Sequence, residues 1–177
     1  MEAGRVAGFD DRGGYSGGPR STQMSEIEDR LGDLGITLPE PPAPVAAYVP
    51  WVRTGNLVFI SGQLPFKDGE LALRGPVPST VTLEDAAAAA RVCAINGLAV
   101  VRAALDGELS RVRRVVRLGV FVQSEDRFDG QPAVANGASS LMLELFGDAG
   151  RHARAAVGVN ALPLDSPVEV EFVFEVE

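Results

Sequence analysis

Pro167-Val168-Glu169-Val170-Glu171-Phe172-Val173-Phe174-Glu175-Val176 alternates over its whole length. Val168, Val170, Phe172, Phe174 and Val176 share one parity; Glu169, Glu171 and Glu175 share the other. A period of two puts the first set on one face of a sheet and the second on its back. Such a strand needs neighbours on both edges and a layer over its apolar face.

Upstream sequence supplies both. Ala153 to Ala161 reads as a strand, and Gln131 to Phe146 as a helix stopped by Gly147. Val112 to Gln123 favours a strand, with Val112, Val116, Leu118, Val120 and Val122 on one parity. Thr82 and Asp85 form a capping pattern, and the Ala-rich run behind them to Leu105 is the strongest helix signal in the chain, ended by Asp106-Gly107. Gly62 to Ser79 is a loop punctuated by Gly and Pro. Ala47 to Ser61 reads as a hairpin around Gly55-Asn56, a pair suited to positive φ. Pro39, Pro41, Pro42 and Pro44 make an extended lead-in. Before it, Ser25-Glu26-Ile27-Glu28 is a capping box for a short helix ending at Gly35. Residues 1–23, with two Gly-Gly pairs, no hydrophobic period and charges that cancel, read as a disordered tail, leaving 24–177 as a single domain.

Two long helices cover one face of such a sheet, so the fold class is α+β, a two-layer sandwich with a mixed sheet. Phe121 and Val173 lie on the uncovered face, which a homo-oligomer packing sheet faces together would cover. A length of 177 residues suits one domain, and the net charge of −8 argues against a nucleic-acid-binding surface. No apolar run is expected to reach the ~20 residues of a membrane span. The single cysteine, Cys93, cannot form an internal disulfide. The expectation is a cytoplasmic domain with no membrane partner.

Few residues offer chemistry. Cys93 sits among alanines with no nearby His or Cys and reads as a small core hydrophobe. His152 is the only histidine, so a multi-histidine metal site or a diad is excluded, and it reads as a polar residue at the start of a strand. No glycine loop matches a phosphate cradle. Arg111, Arg113 and Arg117 share a strand face and read as the counterpart of the Glu-rich final strand. Arg154 is more informative. Ala155, Val157 and Val159 share the apolar parity, so Arg154 shares its face with Ala156 and Gly158. An arginine beside two tiny side chains leaves room for a carboxylate held by two parallel hydrogen bonds. A plain Arg154–Glu169 salt bridge within the sheet is the other reading, and both stay open.

Three motifs resemble the RidA/YjgF family, also called endoribonuclease L-PSP proteins. They are Tyr48-Val49-Pro50 with Gly55-Asn56-Leu57-Val58-Phe59-Ile60-Ser61-Gly62-Gln63-Leu64-Pro65; Val120-Phe121-Val122; and Ala153-Arg154-Ala155-Ala156-Val157-Gly158-Val159 through Leu162-Pro163 and Val168-Glu169-Val170-Glu171. Asn136-Gly137-Ala138-Ser139 and the segment from Phe146 to Arg154 look like a less characterised branch. The resemblance implies a chorismate-mutase-like fold and a homotrimer with clefts between subunits. It also implies cofactor-independent hydrolysis of reactive 2-imino or 2-enamino acids to 2-keto acids and ammonia, with no metal. Carried over, Arg154 grips the substrate carboxylate and Glu169 polarises the attacking water. Tyr48, Ser61, Gly62 and Asn136 line the cleft. Ala156 stands where the family often has cysteine, whose backbone carbonyl is implicated more than its thiol.

The ligand expected is thus a small carboxylate-bearing imine or keto acid. A non-catalytic trimeric module binding small carboxylates is the alternative, using Arg154 but not Glu169. Endoribonuclease activity is a further alternative that one lysine, Lys67, and the acidic balance equip poorly.

Overall fold

The computed structural model describes residues 20–41 and 48–177. Of the expected tail 1–23, residues 1–19 lie outside the described residues, as do the prolines Pro42 and Pro44, while residues 20–23 are helical rather than disordered. Helix α1 spans Arg20–Asp33, opening five residues before the Ser25 capping pattern. A cap contributes only about 1 kcal/mol and does not forbid another turn before it. At its far end Gly35 adopts φ +65°, the left-handed stop its sequence position called for.

Strands β1 (Trp51–Thr54) and β2 (Leu57–Gln63) form the hairpin across Gly55-Asn56. The Gly- and Pro-rich loop carries a small hairpin of its own, β3 (Phe66–Lys67) and β4 (Glu70–Leu71). Helix α2 (Leu83–Ala104), strand β5 (Val112–Gln123), helix α3 (Gln131–Phe146) and strands β6 (Ala153–Val159) and β7 (Val168–Val176) follow. The main sheet has the order β1-β2-β7-β5-β6, antiparallel throughout except for the parallel β5–β6 pair. It is therefore a mixed sheet in an α+β sandwich.

The alternating strand that opens the sequence reading is the centre of this sheet. Its Val168, Val170, Phe172, Phe174 and Val176 are all buried under α2 and α3. The Thr82 hydroxyl accepts from the Asp85 amide at 3.1 Å and caps α2. Midway along α2, a β-carbon on Gly97 would sit 2.6 Å from the Phe172 ring, so glycine lets the helix approach β7 this closely. At 22 residues, α2 is long and apolar enough to cross a membrane by length and composition, which corrects the expectation that no run reaches that length. Ala86, Ala90, Cys93, Ala94, Leu98 and Val101 on it are buried in the same core.

Strand β5 departs from simple alternation. Register shifts between Val112 and Arg114 and between Val115 and Arg117 bring Val115 into the core and leave Val116 half-buried. The expected shared parity of Val112 and Val116 therefore breaks. Of the three arginines, Arg117 answers the final strand at Glu171, 2.7 Å away, and Arg113 reaches Glu177 just past its end at 2.6 Å, whereas Arg111 pairs with Asp106 at 3.7 Å instead. Among the described residues, no helix covers the back of the sheet. Phe59 is 43% exposed there and Val157 45%, with Phe121 and Val173 half-buried beside them.

Candidate functional site

The expected site residues fall into two groups. Strand β6 lies at the sheet edge, where α3 crosses its helix-side face. Arg154 pairs in register with Leu118, which is fully buried on that face. Ala156 packs against the core from the same side. The apolar parity of β6, Ala155 and Val157, is thus the one turned to the open back of the sheet. On the helix-side face, the space beside Gly158 is taken by Ser124 and Gln131, 2.5 and 2.8 Å from where a β-carbon would sit.

Arg154 uses one guanidinium nitrogen twice, donating to Asn136 Oδ1 at 2.9 Å and to Ser139 Oγ at 3.1 Å. Both partners lie on α3, three residues apart and therefore on one face. His152, just before β6, places Nε2 3.0 Å from the same Ser139 oxygen and Nδ1 2.7 Å from the Gly150 carbonyl oxygen. Ser139, Leu143, Gly150, Arg151, His152 and Arg154 line a surface cavity of about 300 Å³. Exclusion of a diad does not survive: a lone histidine needs only a hydroxyl partner, and α3 brings one. Sequence reasoning read His152 as a bland polar residue and gave Ser139 no role. The spacing of Asn136 and Ser139, and of His152 and Arg154, was the signal available.

Glu169 belongs to the other group. It pairs in register with Phe121 and faces the open back of the sheet. A β-carbon on Gly62 would fall on the Glu169 carboxylate, so only glycine at that bulge of β2 leaves the carboxylate its place. Burial raises the Glu169 carboxyl above the usual carboxylate range, and the Glu171 charge adds to the rise. The neighbouring Ser61 hydroxyl donates to the Val49 carbonyl at 2.7 Å. Tyr48, Ser61 and Gly62 line a second cavity of about 520 Å³ that reaches Asn96 and Ala99 on α2. Tyr48 itself is 58% exposed.

Arg154 and Glu169 therefore point from opposite faces of one sheet, and the salt bridge between them does not form. Among the described residues, Arg154 makes no ion pair. No cluster of three His, Cys, Asp or Glu side chains suited to a metal ion occurs among them either. Cys93 is fully buried, its thiol pushed well up by burial, then by the charge of Glu169, which fits a core residue rather than a nucleophile.

An α+β sandwich with its long helices on one face of a mixed sheet, and none on the other among the described residues, is the architecture of the chorismate-mutase-like class. Residues 28–176 match the family described as "YjgF/chorismate_mutase-like, putative endoribonuclease". The chain belongs to this RidA/YjgF family. Protein TCP17 of Trypanosoma cruzi is 46% identical over 150 residues, covering 84% of this chain and 93% of that protein. A crystal structure of the Agrobacterium tumefaciens protein Atu1372, of unknown function, superposes with a TM-score of 0.81 at 45% identity, covering 88% of this chain and 95% of that one. A 2-iminobutanoate/2-iminopropanoate deaminase of Dermatophagoides farinae is 27% identical over 144 residues, covering 80% of this chain and 95% of that protein.

Proposed function

We propose that the protein hydrolyses reactive 2-imino or 2-enamino acids to 2-keto acids and ammonia, without a cofactor, in clefts between copies of itself. The observation that carries this reading is the pair of half-sites: Arg154, braced by Asn136 and free of any ion pair among the described residues, on one face and a half-buried Glu169 on the other. A ligand on Arg154 meets a Glu169 only from a second copy. A closed trimer packing the open backs of its sheets together would supply that copy and cover Phe59, Phe121 and Val157 at once. The family match and the relationship to a named imine deaminase support the reaction class.

In this mechanism Arg154 holds the carboxylate and turns the imine carbon toward a water. Glu169, with its carboxyl raised by burial, accepts a proton from that water as it attacks. A placed general base contributes about 10²–10⁴-fold, and orientation adds to it. The test generates 2-imino acids with an amino-acid oxidase and follows their decay. Wild type accelerates it and Arg154→Ala does not; equal decay with both sinks the reading.

Since the Arg154 group is assembled within a single protomer, a non-catalytic carboxylate-binding module is the second reading. Thermal stabilisation by 2-oxobutanoate with no imine turnover is its signature.

A further inference from the structure

His152 and Ser139 have no part in the mechanism above, yet their hydrogen bonds are tightly constrained. A carbonyl oxygen only accepts, so the Gly150 contact at 2.7 Å requires a hydrogen on His152 Nδ1 in either protonation state. In the neutral ring Nε2 is then bare and accepts the Ser139 hydroxyl hydrogen across 3.0 Å. In the imidazolium Nε2 carries a hydrogen and donates to Ser139 Oγ, which already accepts from Arg154 at 3.1 Å. Both lone pairs of that oxygen are then occupied. Its own hydrogen must turn into the 300 Å³ cavity that Ser139, His152 and Arg154 line together. Protonation of the ring thus converts Ser139 from a donor to His152 into a donor to whatever Arg154 holds.

We propose that Ser139 and His152 form the proton-transfer arm of the Arg154 site, serving the nitrogen of a carboxylate-bearing imine and sensing the carboxylate through Arg154. This rests on the imine-hydrolysis reading. Water oxygen bonds to the imine carbon and the C=N π pair moves to nitrogen. Nitrogen takes the Ser139 hydrogen, and Ser139 takes the one on His152 Nε2. Glu169 of the neighbouring copy receives the water proton. In the collapse of the carbinolamine, Glu169 returns that proton to nitrogen and the C–N bond breaks with release of ammonia. The hydroxyl proton passes through Ser139 back to His152 as the keto group forms. One imine and one water are consumed, one keto acid and one ammonia are produced, and every protein group regains its starting state. The remaining walls of the cavity carry Leu143 from α3 and Arg151, itself paired with Asp148 at 3.1 Å, so no carboxylate competes for the histidine within the cavity lining.

Two readouts test this. In the imine-decay assay, Ser139→Ala and His152→Gln lower kcat by about 10–100-fold and leave KM within about twofold, while Ser139→Thr, which keeps the hydroxyl, stays near wild type. Unchanged kcat in both Ser139→Ala and His152→Gln overturns the proposal. A wild type that does not accelerate imine decay brings down the deaminase reading instead, and the second readout then decides alone. His152 is the only histidine, so ¹⁵N-histidine labelling gives a single imidazole. Its Nε2 signal moves when 2-oxobutanoate is added to wild type and stays still in Arg154→Ala. A wild-type signal that 2-oxobutanoate leaves unmoved overturns the coupling.

Discussion

Two inactive variants of this protein, Arg154→Ala and Glu169→Gln, should restore activity to each other when assembled together. The reason is geometric. On β5, Leu118 and Phe121 face opposite sides of the sheet; Arg154 is in register with the first and Glu169 with the second. No rotamer change carries either side chain through a hydrogen-bonded sheet, so under the proposed function a ligand that touches both would lie between copies. In a closed ring each site sits at one head-to-tail junction and takes Glu169 from one neighbour and Arg154 from the other. Equal amounts of the variants, unfolded together and refolded, fill each side of a junction with two independent even chances. About one quarter of the junctions then hold both intact residues, and about a quarter of wild-type turnover should return. The parents alone should retain about 1% or less, if each residue is worth the ~10²-fold of a positioned catalytic group. The assay is the decay of oxidase-generated imine, with wild type carried through the same refolding as the reference. With wild type active after the same refolding, a mixture no more active than the mean of its parents refutes the two-copy site.

Glu169→Gln has a second consequence, in stability. Because burial raises the Glu169 carboxyl, the folded protein binds that proton more tightly than the unfolded chain, and wild-type stability falls as pH rises from the ordinary glutamate range, about 4.3, through the raised value. The variant escapes this loss, so its melting temperature should exceed that of wild type at pH 7 and converge with it at pH 4; a gain of equal size at both pH values counts against the assigned cause. Gly97→Ala gains about 1 kcal/mol of helix propensity but forces a methyl against Phe172, an overpacking worth about 1–3 kcal/mol. The net is a loss of up to about 2 kcal/mol by urea unfolding, and a midpoint at or above wild type would mean the ring yields freely.

Regular elements were legible in the sequence because each carried a local physical signal. The period-two run from Pro167 to Val176, the Thr82 cap and the Gly147 stop all fall where their chemistry places them. The irregularities were not legible, since a β-bulge such as that between Val115 and Arg117 is set by pairing with a distant strand and leaves no mark on the residues beside it. The same limit governs the site. Parity assigned Arg154, Ala156 and Gly158 to one face of β6, and the structure keeps them there. Parity is silent, however, about which face a helix will cover. The apolar side of an edge strand, Ala155 and Val157, turned to the open back of the sheet, while the arginine went to the helix side because α3 offers Asn136 and Ser139 to receive it. That exchange is why His152 reads as bland in sequence. Its importance depends on a serine thirteen residues earlier, which only the crossing of α3 over β6 brings within a hydrogen bond. Apolar residues left exposed on the back of an edge strand, Val157 above all, are a costly arrangement for an isolated domain. Their exposure becomes favourable if the back is an interface, the same packing of copies that a site shared by Arg154 and Glu169 would require.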